Sequence, residues 1–479
     1  MLDSPLVQLF RALTKAERRA LRKWVDSPFF NQRGDVTRLY EYLCAQIPVG
    51  SGKLPEAGLD KKAAFRQVFA AGGKARAPTY RDSDMRYAMS FLHLAIKQFL
   101  AYAHWAEDAL DRGRHLCKSL RRRGLDQAFE KEYAALTTRL AEAPHRSVDY
   151  FFQQYHLQLE RWEVFRRSNR GASETLRHVG WARDVYIASE SLRQACAVLA
   201  QPAQQDRGDG SIYLQATLAA VDAGTFETVP AVMAYYHCYR ILSDQDSSAE
   251  PHFQALRDLL AQRWTFFPPN EIRDLYVGAI NYCIRRLNSG DREYIRAALE
   301  LYRSGLERRT ILEDGFLNKY TYNNILLLAL ALEEWDWGLH FLKQYRDALP
   351  PRDRESAWRY NLATYYFRKK DYAGAQEILR RVEFRDVFYH LDARRMLVRI
   401  YFDTGEFSAL ESLLDSFTVY LQRKRASLGY HRELNLHFVR FVKRLLRLEP
   451  GDAPGRSRLR ARVRATQYVA EREWLLGKC

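Results

Sequence analysis

The segments LLALALEEWDWGLH (327–340), LATYYFRKKDYAGA (362–375) and LVRIYFDTGEFSAL (397–410) align with one another at an interval of 35 residues. In each segment an acidic residue precedes an aromatic one, and a leucine lies ten positions before that aromatic. The acidic-aromatic pairs are Asp336-Trp337, Asp371-Tyr372 and Glu406-Phe407. A period of about 34 residues is typical of stacked helix pairs, so the pattern predicts helical repeats.

Two earlier aromatic residues, Phe253 and Tyr294, continue the repeat pattern at less regular intervals. Phe253 is followed by Leu256 and Leu260, and Tyr294 lies 41 residues after Phe253 and 43 residues before Trp337. We interpret residues 228–427 as helical repeats, clearest over 315–420, and residues 107–227 as more diverged helical repeats. A polar, glycine-rich segment at 201–211 predicts an internal flexible loop or hinge within residues 107–227.

Length and composition restrict the class of protein. The chain has 479 residues, more than one hydrophobic core usually supports, so growth by repetition is expected. Its longest aliphatic run, 325–332, is far shorter than the roughly 20 residues that cross a membrane. No signal peptide precedes Arg11, which predicts a cytoplasmic location. The six cysteines are scattered singly, so the sequence predicts no zinc site and no cofactor.

Residues 1–106 lie outside the repeat register and predict a separate helical module. Thr14 and Glu17 form a capping-box pattern, so a helix should begin there and end near Asp26. One face of that helix is predicted to be basic, opposite an apolar face with Leu21 and Trp24. The basic residues are Lys15, Arg18, Arg19, Arg22 and Lys23. A solvated outer face and an anion-binding face are both consistent with this pattern.

The net charge of +17 is concentrated at the two ends of the chain. Residues 1–100 carry +8 and residues 423–479 carry +10, whereas residues 101–422 carry −1. We predict capping helices over 428–479, with a break at 450–455 and a last helix of about 458–476. The candidate anion-binding residues in this region are Arg440, Lys443, Arg444, Arg447, Arg456, Arg460 and Arg464.

The aligned segments resemble the tetratricopeptide repeat family at Leu362, Ala363, Tyr366, Tyr372 and Ala375. That resemblance implies an all-α fold in which helix pairs build a right-handed α-solenoid. Three positions depart from the family pattern, since Lys370 replaces the turn glycine, and His340 and Leu410 each replace a small residue. The whole chain also resembles a group of bacterial proteins with a Ser-Pro-Phe-Phe-Asn segment, here 27–31, and a closing Arg-Glu-Trp-Leu-Leu, here 472–476. This second resemblance implies no activity.

The tetratricopeptide resemblance implies a concave groove, lined by the first helix of each pair, that binds a protein or peptide. The candidate groove residues are Tyr320, Asn324, Trp358, Asn361, Arg395 and Arg399. Some members of that family clamp a carboxylate with Lys, Asn and Arg, but Tyr360 and Thr364 stand where two of those residues belong. The sequence therefore favours a groove without such a clamp.

A non-enzymatic protein-binding scaffold is the leading hypothesis, and nucleic-acid binding through the basic ends is the alternative. A helix-turn-helix module would use Lys61, Lys62, Arg66, Arg81 and Arg86, but no β-ribbon pattern supports a wing. Gly72-Gly73-Lys74 lacks the rest of a phosphate-loop motif and is interpreted as a turn. His156 and Glu160 lie one helical turn apart without a catalytic motif, so we predict no enzyme.

Overall fold

The computed structural model describes residues 1, 3–49, 59–69, 79–168, 172–201, 212–244, 247–381, 386–424, 428–449 and 451–479. Across those residues the chain forms 23 α-helices and no β-strand. The predicted all-α class is therefore confirmed. The predicted turn at Gly72-Gly73-Lys74 and residues 202–211 of the predicted loop lie outside the described residues.

The first of two compact units contains residues 1–143 and 149–186. Its helices are α1 (Pro5–Ala12), α2 (Lys15–Asp26), α3 (Gly34–Gln46), α4 (Lys61–Phe69), α5 (Asp82–Glu107), α6 (Ala109–Arg122), α7 (Asp126–Glu142), α8 (Val148–Ser168) and the first part of α9 (Ala172–Leu199). A buried hydrophobic cluster drawn from residues 6–99 holds α1 to α5 together. All of that cluster lies within the predicted N-terminal module.

Helix α2 begins at the predicted capping box. The backbone N–H of Glu17 donates to Thr14 Oγ1 at 3.2 Å, and the Thr14 N–H donates to Glu17 Oε2 at 2.7 Å. Each side chain thus satisfies a backbone donor that has no partner inside the helix. The predicted start and end of this helix are both confirmed.

The Ser-Pro-Phe-Phe-Asn segment after α2 forms a turn that its own side chains hold. Asn31 Nδ2 donates to the Val25 carbonyl at 2.8 Å and to Thr37 Oγ1 at 3.1 Å, which ties the end of α2 to the start of α3. The Phe30 ring stacks on Trp24 with 3.6 Å between ring centroids. The turn therefore has a structural role in this module.

The second unit contains residues 144–148 and 187–479. Its helices are the rest of α9, α10 (Leu214–Asp222), α11 (Pro230–Ser243), α12 (Glu250–Arg263), α13 (Pro269–Asn288), α14 (Tyr294–Glu307), α15 (Lys319–Ala331), α16 (Trp335–Gln344), α17 (Arg354–Arg368), α18 (Tyr372–Arg381), α19 (Val387–Thr404), α20 (Phe407–Arg423), α21 (Tyr430–Leu445), α22 (Ala453–Ala465) and α23 (Arg472–Lys478). From α11 to α21 each helix packs on the next one. In addition, α15 packs on α17 and α17 packs on α19. We call α15, α17, α19 and α21 the first helices.

Each aligned segment contains the end of one helix, a tight turn and the start of the next helix. The turn residues Glu333, Lys370 and Gly405 adopt left-handed conformations, with φ of 59°, 63° and 76°. After each of them, a backbone N–H donates to the carbonyl five residues earlier. The bonds join Glu334 to Ala329, Asp371 to Tyr366 and Glu406 to Tyr401, each at 2.9 Å. This is the Schellman arrangement, which satisfies carbonyls at a helix end.

The turn in the earliest of these segments is displaced from the predicted register. Its left-handed residue is Glu333, two positions before the one that the 35-residue interval indicates, and α16 consequently begins at Trp335. Lys370 occupies the position where tetratricopeptide repeats have a turn glycine. It differs from that glycine only in having a side chain, because its backbone adopts the left-handed conformation that the turn requires. The turn geometry is therefore kept where the glycine is absent.

The predicted last helix over 458–476 is wrong, because two helices, α22 and α23, occupy this region with a break between them. Glu471 adopts a left-handed conformation with φ of 52° at the start of α23. The Arg472 guanidinium donates to the carbonyls of Val463, Arg464 and Gln467 at 3.2, 3.1 and 2.7 Å. These bonds satisfy carbonyls at and just beyond the end of α22, so the arginine of the closing motif stabilises the break.

Candidate binding surfaces

The predicted groove residues of α15 and α17 differ in exposure. Tyr320 is 50% exposed and Asn324 is exposed. Trp358 is half-buried, and the guanidinium carbon of Arg346 lies 4.4 Å from the centre of its ring. Tyr320, Asn324 and Trp358 therefore present accessible atoms, and their role in binding stays a prediction.

Asn361 of α17 is fully buried. Its Nδ2 donates to the Ala357 carbonyl one turn earlier at 2.8 Å. Thr364 is also buried, and its hydroxyl donates to the Tyr360 carbonyl at 3.0 Å. The Asn361 amide thus lies inside the helix packing, where a partner on the surface does not reach it.

The two predicted groove arginines of α19 bind the carboxyl-terminal segment of the same chain. Arg399 Nη1 lies 2.7 Å from Glu471 Oε2, and Arg395 Nε lies 3.4 Å from Glu471 Oε1. Arg395 also pairs with Asp392 and donates to Asn435 Oδ1 at 3.2 Å. Both guanidinium groups are therefore already neutralised, and they stabilise the packing of the C-terminal segment on α19.

Further contacts hold the same C-terminal segment in place. The Trp474 ring packs against Phe402 and Phe438, with ring centroids 5.3 and 6.1 Å apart. Lys478 Nζ lies 2.7 Å from Asp403 Oδ1, and Leu475 is fully buried. The Arg-Glu-Trp-Leu-Leu motif is thus the part of the chain that docks its end onto α19 and α21.

Polar and aromatic contacts connect the first helices below the exposed surface. The rings of Tyr360 and Tyr389 stack with 4.1 Å between centroids, and the Tyr360 hydroxyl donates to Asp392 Oδ2 at 3.0 Å. Lys319 Nζ lies 2.7 Å from Asp386 Oδ2, which joins the starts of α15 and α19. Burial raises the pKa of the Tyr360 hydroxyl above its ordinary value, so it stays a proton donor.

Two exposed aromatic residues of the first helices were not predicted. Phe388 is the second residue of α19 and is 47% exposed, and Tyr430 is the first residue of α21 and is 63% exposed. Tyr320, the second residue of α15, occupies a corresponding position. The signal was present in the sequence as an aromatic residue directly after a helix start, but the register of the first helices was needed to recognise it. We call Tyr320, Phe388 and Tyr430 the aromatic row.

Arg18 corrects the predicted basic face of α2. It is 6% exposed, and its guanidinium donates to the carbonyls of Phe10, at 3.2 Å, and Ile47. Those carbonyls lie at the ends of α1 and α3, where the helix dipole favours a positive charge. Arg18 therefore joins three helices from the interior, and it does not lie on the predicted solvent face.

The other predicted basic residues of α2 are exposed. Arg22 is paired, with Nε 2.7 Å from Asp26 Oδ2 and Nη2 2.7 Å from Glu41 Oε1. Lys15, Arg19 and Lys23 have no carboxylate within ion-pair distance among the described residues. Three uncompensated cations therefore lie on this face.

The basic residues near the C-terminus also divide into residues with a partner in the chain and exposed residues without an ion pair. Lys443 Nζ lies 2.6 Å from Asp415 Oδ1, and Arg456 donates to the Lys478 carbonyl at 2.9 Å. The remaining predicted residues are exposed and have no ion pair with any described carboxylate. They are Arg440, Arg444, Arg447, Arg460 and Arg464. On α21, exposed Arg440 and Arg444 lie opposite buried Phe438 and Val442.

The residues considered for a helix-turn-helix module include an internal ion-pair cluster. Lys61 Nζ and Arg86 Nε lie 3.3 and 2.8 Å from the carboxylate of Asp82. Lys62, Arg66 and Arg81 are exposed. Because the described residues of this module contain no strand, a winged form of the module has no wing there.

The residues considered for catalysis have structural partners. Glu160 Oε2 accepts from Arg121 Nε at 2.7 Å. Burial lowers the pKa of the His156 imidazole below its ordinary value. Burial also raises the pKa values of the Cys117 and Cys283 thiols to about 12, so both are unreactive at neutral pH. No group of three or more His, Cys, Asp or Glu side chains in the described ranges is arranged to hold a metal ion.

Comparison with models of protein families, with curated proteins and with solved structures finds no match to this chain. Among the described helices, none has both the length and the apolar character needed to span a membrane.

Proposed function

We propose that this chain is a non-enzymatic scaffold that binds a protein or peptide partner through the first helices of its second unit. The aromatic row carries this proposal. Large aromatic side chains are exposed near the starts of α15, α19 and α21, and such side chains are typical of protein-binding surfaces, where aromatic residues contribute much of the binding energy.

The architecture behind this proposal is a right-handed α-solenoid of tetratricopeptide-like pairs, α15/α16, α17/α18 and α19/α20. The packing of each helix on the next and the recurring Schellman turns support it. In such an architecture the first helices line a concave groove. Tyr320, Asn324 and Trp358 would then contact the partner, together with Phe388 and Tyr430.

The ion pairs of Glu471 change where we expect the partner to bind. Arg395 and Arg399 are occupied by the C-terminal segment, so a partner gains little from them unless that segment leaves. We therefore assign partner contact to the aromatic row. The two arginines act as supports of the surface.

The test uses the full chain as bait, followed by mass spectrometry, with and without nuclease treatment. The variant replaces Tyr320, Phe388 and Tyr430 with serine. The matched control is Phe407→Ser, which removes a ring that is 52% exposed at the start of α20. We expect the triple variant to lose nuclease-resistant partners that the wild type and the control retain. Unchanged recovery with the triple variant would refute the proposal.

Nucleic-acid binding through the two basic ends is the second candidate function. The uncompensated cations Lys15, Arg19 and Lys23, with the exposed arginines of α21 and α22, favour it. Phosphate neutralisation predicts an affinity that falls steeply with salt concentration. Gel shifts with Arg440, Arg444 and Arg447 changed to glutamate test it. Binding at low salt that the triple reversal leaves unaltered would exclude the C-terminal surface.

A further inference from the structure

A cavity of about 450 Å³ lies between α9, α11 and α13, away from the aromatic row. Small residues create it. Ala197 of α9 and Ala200, directly after its end, lie three positions apart and are exposed. Helices α11 and α13 approach closely at Gly278, where an added Cβ would lie 2.7 Å from Cys238 Sγ. The short side chain of Ala197 leaves space open beside α9, and the close approach at Gly278 bounds the cavity on the side of α11 and α13.

The inner wall of this cavity is largely apolar. Leu275 and Cys196 are buried and line it, and Val277 is 43% exposed although its side chain is wholly hydrophobic. A volume of several hundred Å³ with a mostly apolar wall is typical of sites that bury the body of a small ligand. The wall therefore fits a bulky apolar group.

The polar rim carries an excess of negative charge. Arg193 and Glu190 neutralise each other, with Nη2 2.7 Å from Oε2, and Gln194 Nε2 donates to the other Glu190 oxygen at 2.6 Å. Asp274 is the remaining charged residue of the rim. The Arg193–Glu190 pair has no net charge, so the Asp274 carboxylate gives the rim a net charge of −1.

Asp274 has only weak cationic partners among the described residues, Arg273 and the already paired Arg193. The nearest is Arg273, whose Nε is 3.8 Å away and whose Nη1 lies closer, at 3.1 Å, to Glu313 Oε1. Burial raises the pKa of the Asp274 carboxyl, although its side chain is 71% exposed, because it stands in a cleft where protein displaces part of its water. A ligand cation at this position would stabilise the ionised form.

We propose that this cavity is a binding site for a ligand that carries a bulky apolar group next to a protonated amine or guanidinium. The apolar group enters between Ala197, Val277 and Gly278, and the cation pairs with Asp274. The same chemistry is found in a free aromatic amine and in a peptide with Lys or Arg beside a large apolar residue. The site does not depend on the proposed function of the first helices, because it uses none of their residues.

The test measures binding of three small probes to the full chain by ligand-observed NMR titration. The probes are phenethylamine, the neutral 2-phenylethanol and the anionic 3-phenylpropionate. We expect saturable binding of phenethylamine in the millimolar range, weaker binding of the alcohol and the weakest binding of the carboxylate. Absence of saturable amine binding, or equal binding of the carboxylate, would overturn the proposal.

Two variants locate the binding. Asp274→Asn should weaken phenethylamine about tenfold by removing a charge-assisted hydrogen bond, and should leave 2-phenylethanol unchanged. Ala197→Phe should fill the cavity and abolish binding of both. The matched control, Asp258→Asn, removes an exposed carboxylate of α12 outside the cavity and should change nothing. An affinity that Asp274→Asn leaves unchanged would contradict the assignment.

A capped peptide, Gly-Gly-Phe-Lys-Gly-Gly, distinguishes the two sources of this chemistry. Tighter binding of the peptide than of phenethylamine, with the same dependence on Asp274 and Ala197, identifies a polypeptide ligand. Tighter binding of the free amine identifies a small molecule. Peptide binding that neither variant alters lies elsewhere and does not support the site.

Discussion

The carboxylate of Glu471 lies 2.7 Å from the Arg399 guanidinium, so a residue predicted to bind a partner instead binds the end of its own chain. Glu471 also lies within 3.4 Å of Arg395, and its side chain is 25% exposed. Because one carboxylate is shared by two guanidinium groups, its removal leaves both partly buried charges without it.

Glu471→Gln should therefore lower the free energy of unfolding by about 1–2 kcal/mol. Glu473→Gln is the matched control, because Glu473 is exposed two residues later, on α23, and has no ion pair with any described residue. Urea unfolding of the two variants checks this prediction. Equal stability of the two variants would mean that the ion pairs do not hold the C-terminal segment.

Replacing Lys370 with glycine should stabilise the folded protein. Its φ of 63° is strained for any residue with a Cβ, so Lys370→Gly should raise the free energy of unfolding by about 0.5–1 kcal/mol. The adjacent Lys369 has φ of −73°, and Lys369→Gly should instead lower stability by a similar amount. Chemical denaturation of both variants measures whether each substitution raises or lowers the free energy of unfolding. Destabilisation by both would show that the Lys370 side chain matters more than its backbone.

Two helix glycines should respond to alanine with opposite signs. A Cβ at Gly113 of α6 would overlap the side chain of Leu136 of α7, which is 3% exposed. Overpacking of this kind costs about 1–3 kcal/mol, more than the roughly 1 kcal/mol that alanine gains in helix propensity. Nothing lies within 4 Å of a Cβ at Gly180 of α9, so Gly180→Ala should stabilise. Thermal unfolding compares the stabilities of Gly113→Ala and Gly180→Ala. In a protein that also carries Leu136→Ala, the Gly113→Ala substitution should lower stability by less.

His237 should make stability depend on pH. Its Nδ1 lies 2.9 Å from His252 Nδ1, and burial, with a smaller contribution from His252, lowers its pKa from 6.5 to about 4. Between these values the unfolded chain binds a proton that the folded chain does not, so the free energy of unfolding falls as pH falls. The loss from this group should be about 1–2 kcal/mol, because water still reaches part of the ring.

His237→Gln should therefore flatten the decline of stability between pH 6.5 and 4. Part of the decline should persist, because burial lowers the pKa of His390 to about 4 as well. The exposed His178→Gln serves as control and should keep the wild-type profile. Unfolding measured across this pH range gives the slopes, and an unchanged slope in His237→Gln contradicts the assignment.

Local sequence patterns predicted much of the helix content. The Thr14–Glu17 capping box and Ser27-Pro28 placed both ends of α2, because each pattern acts within one or two turns of the helix. The break between α22 and α23 could not be predicted in this way. It depends on Arg472 reaching back to carbonyls up to nine residues earlier, and on a backbone bond from Ala470 to Leu434.

Candidate site residues were harder to predict than helices. Helical periodicity placed Arg18 on a polar face, but carbonyls of two other helices bind it in the interior. Arg395 and Arg399 were expected on one of the first helices, and both lie on α19. Their partner, Glu471, lies 72 residues beyond Arg399 along the chain. Such pairings depend on tertiary contacts between distant segments, which a single sequence does not specify.

Photo-crosslinking in cells tests the central claim most directly. A p-benzoylphenylalanine placed at position 388 lies in the aromatic row, and the same group at position 407 replaces the exposed Phe407 at the start of α20. We expect a discrete, nuclease-resistant protein crosslink from position 388 that is absent from position 407. No crosslink from position 388, or the same products from both positions, would contradict it.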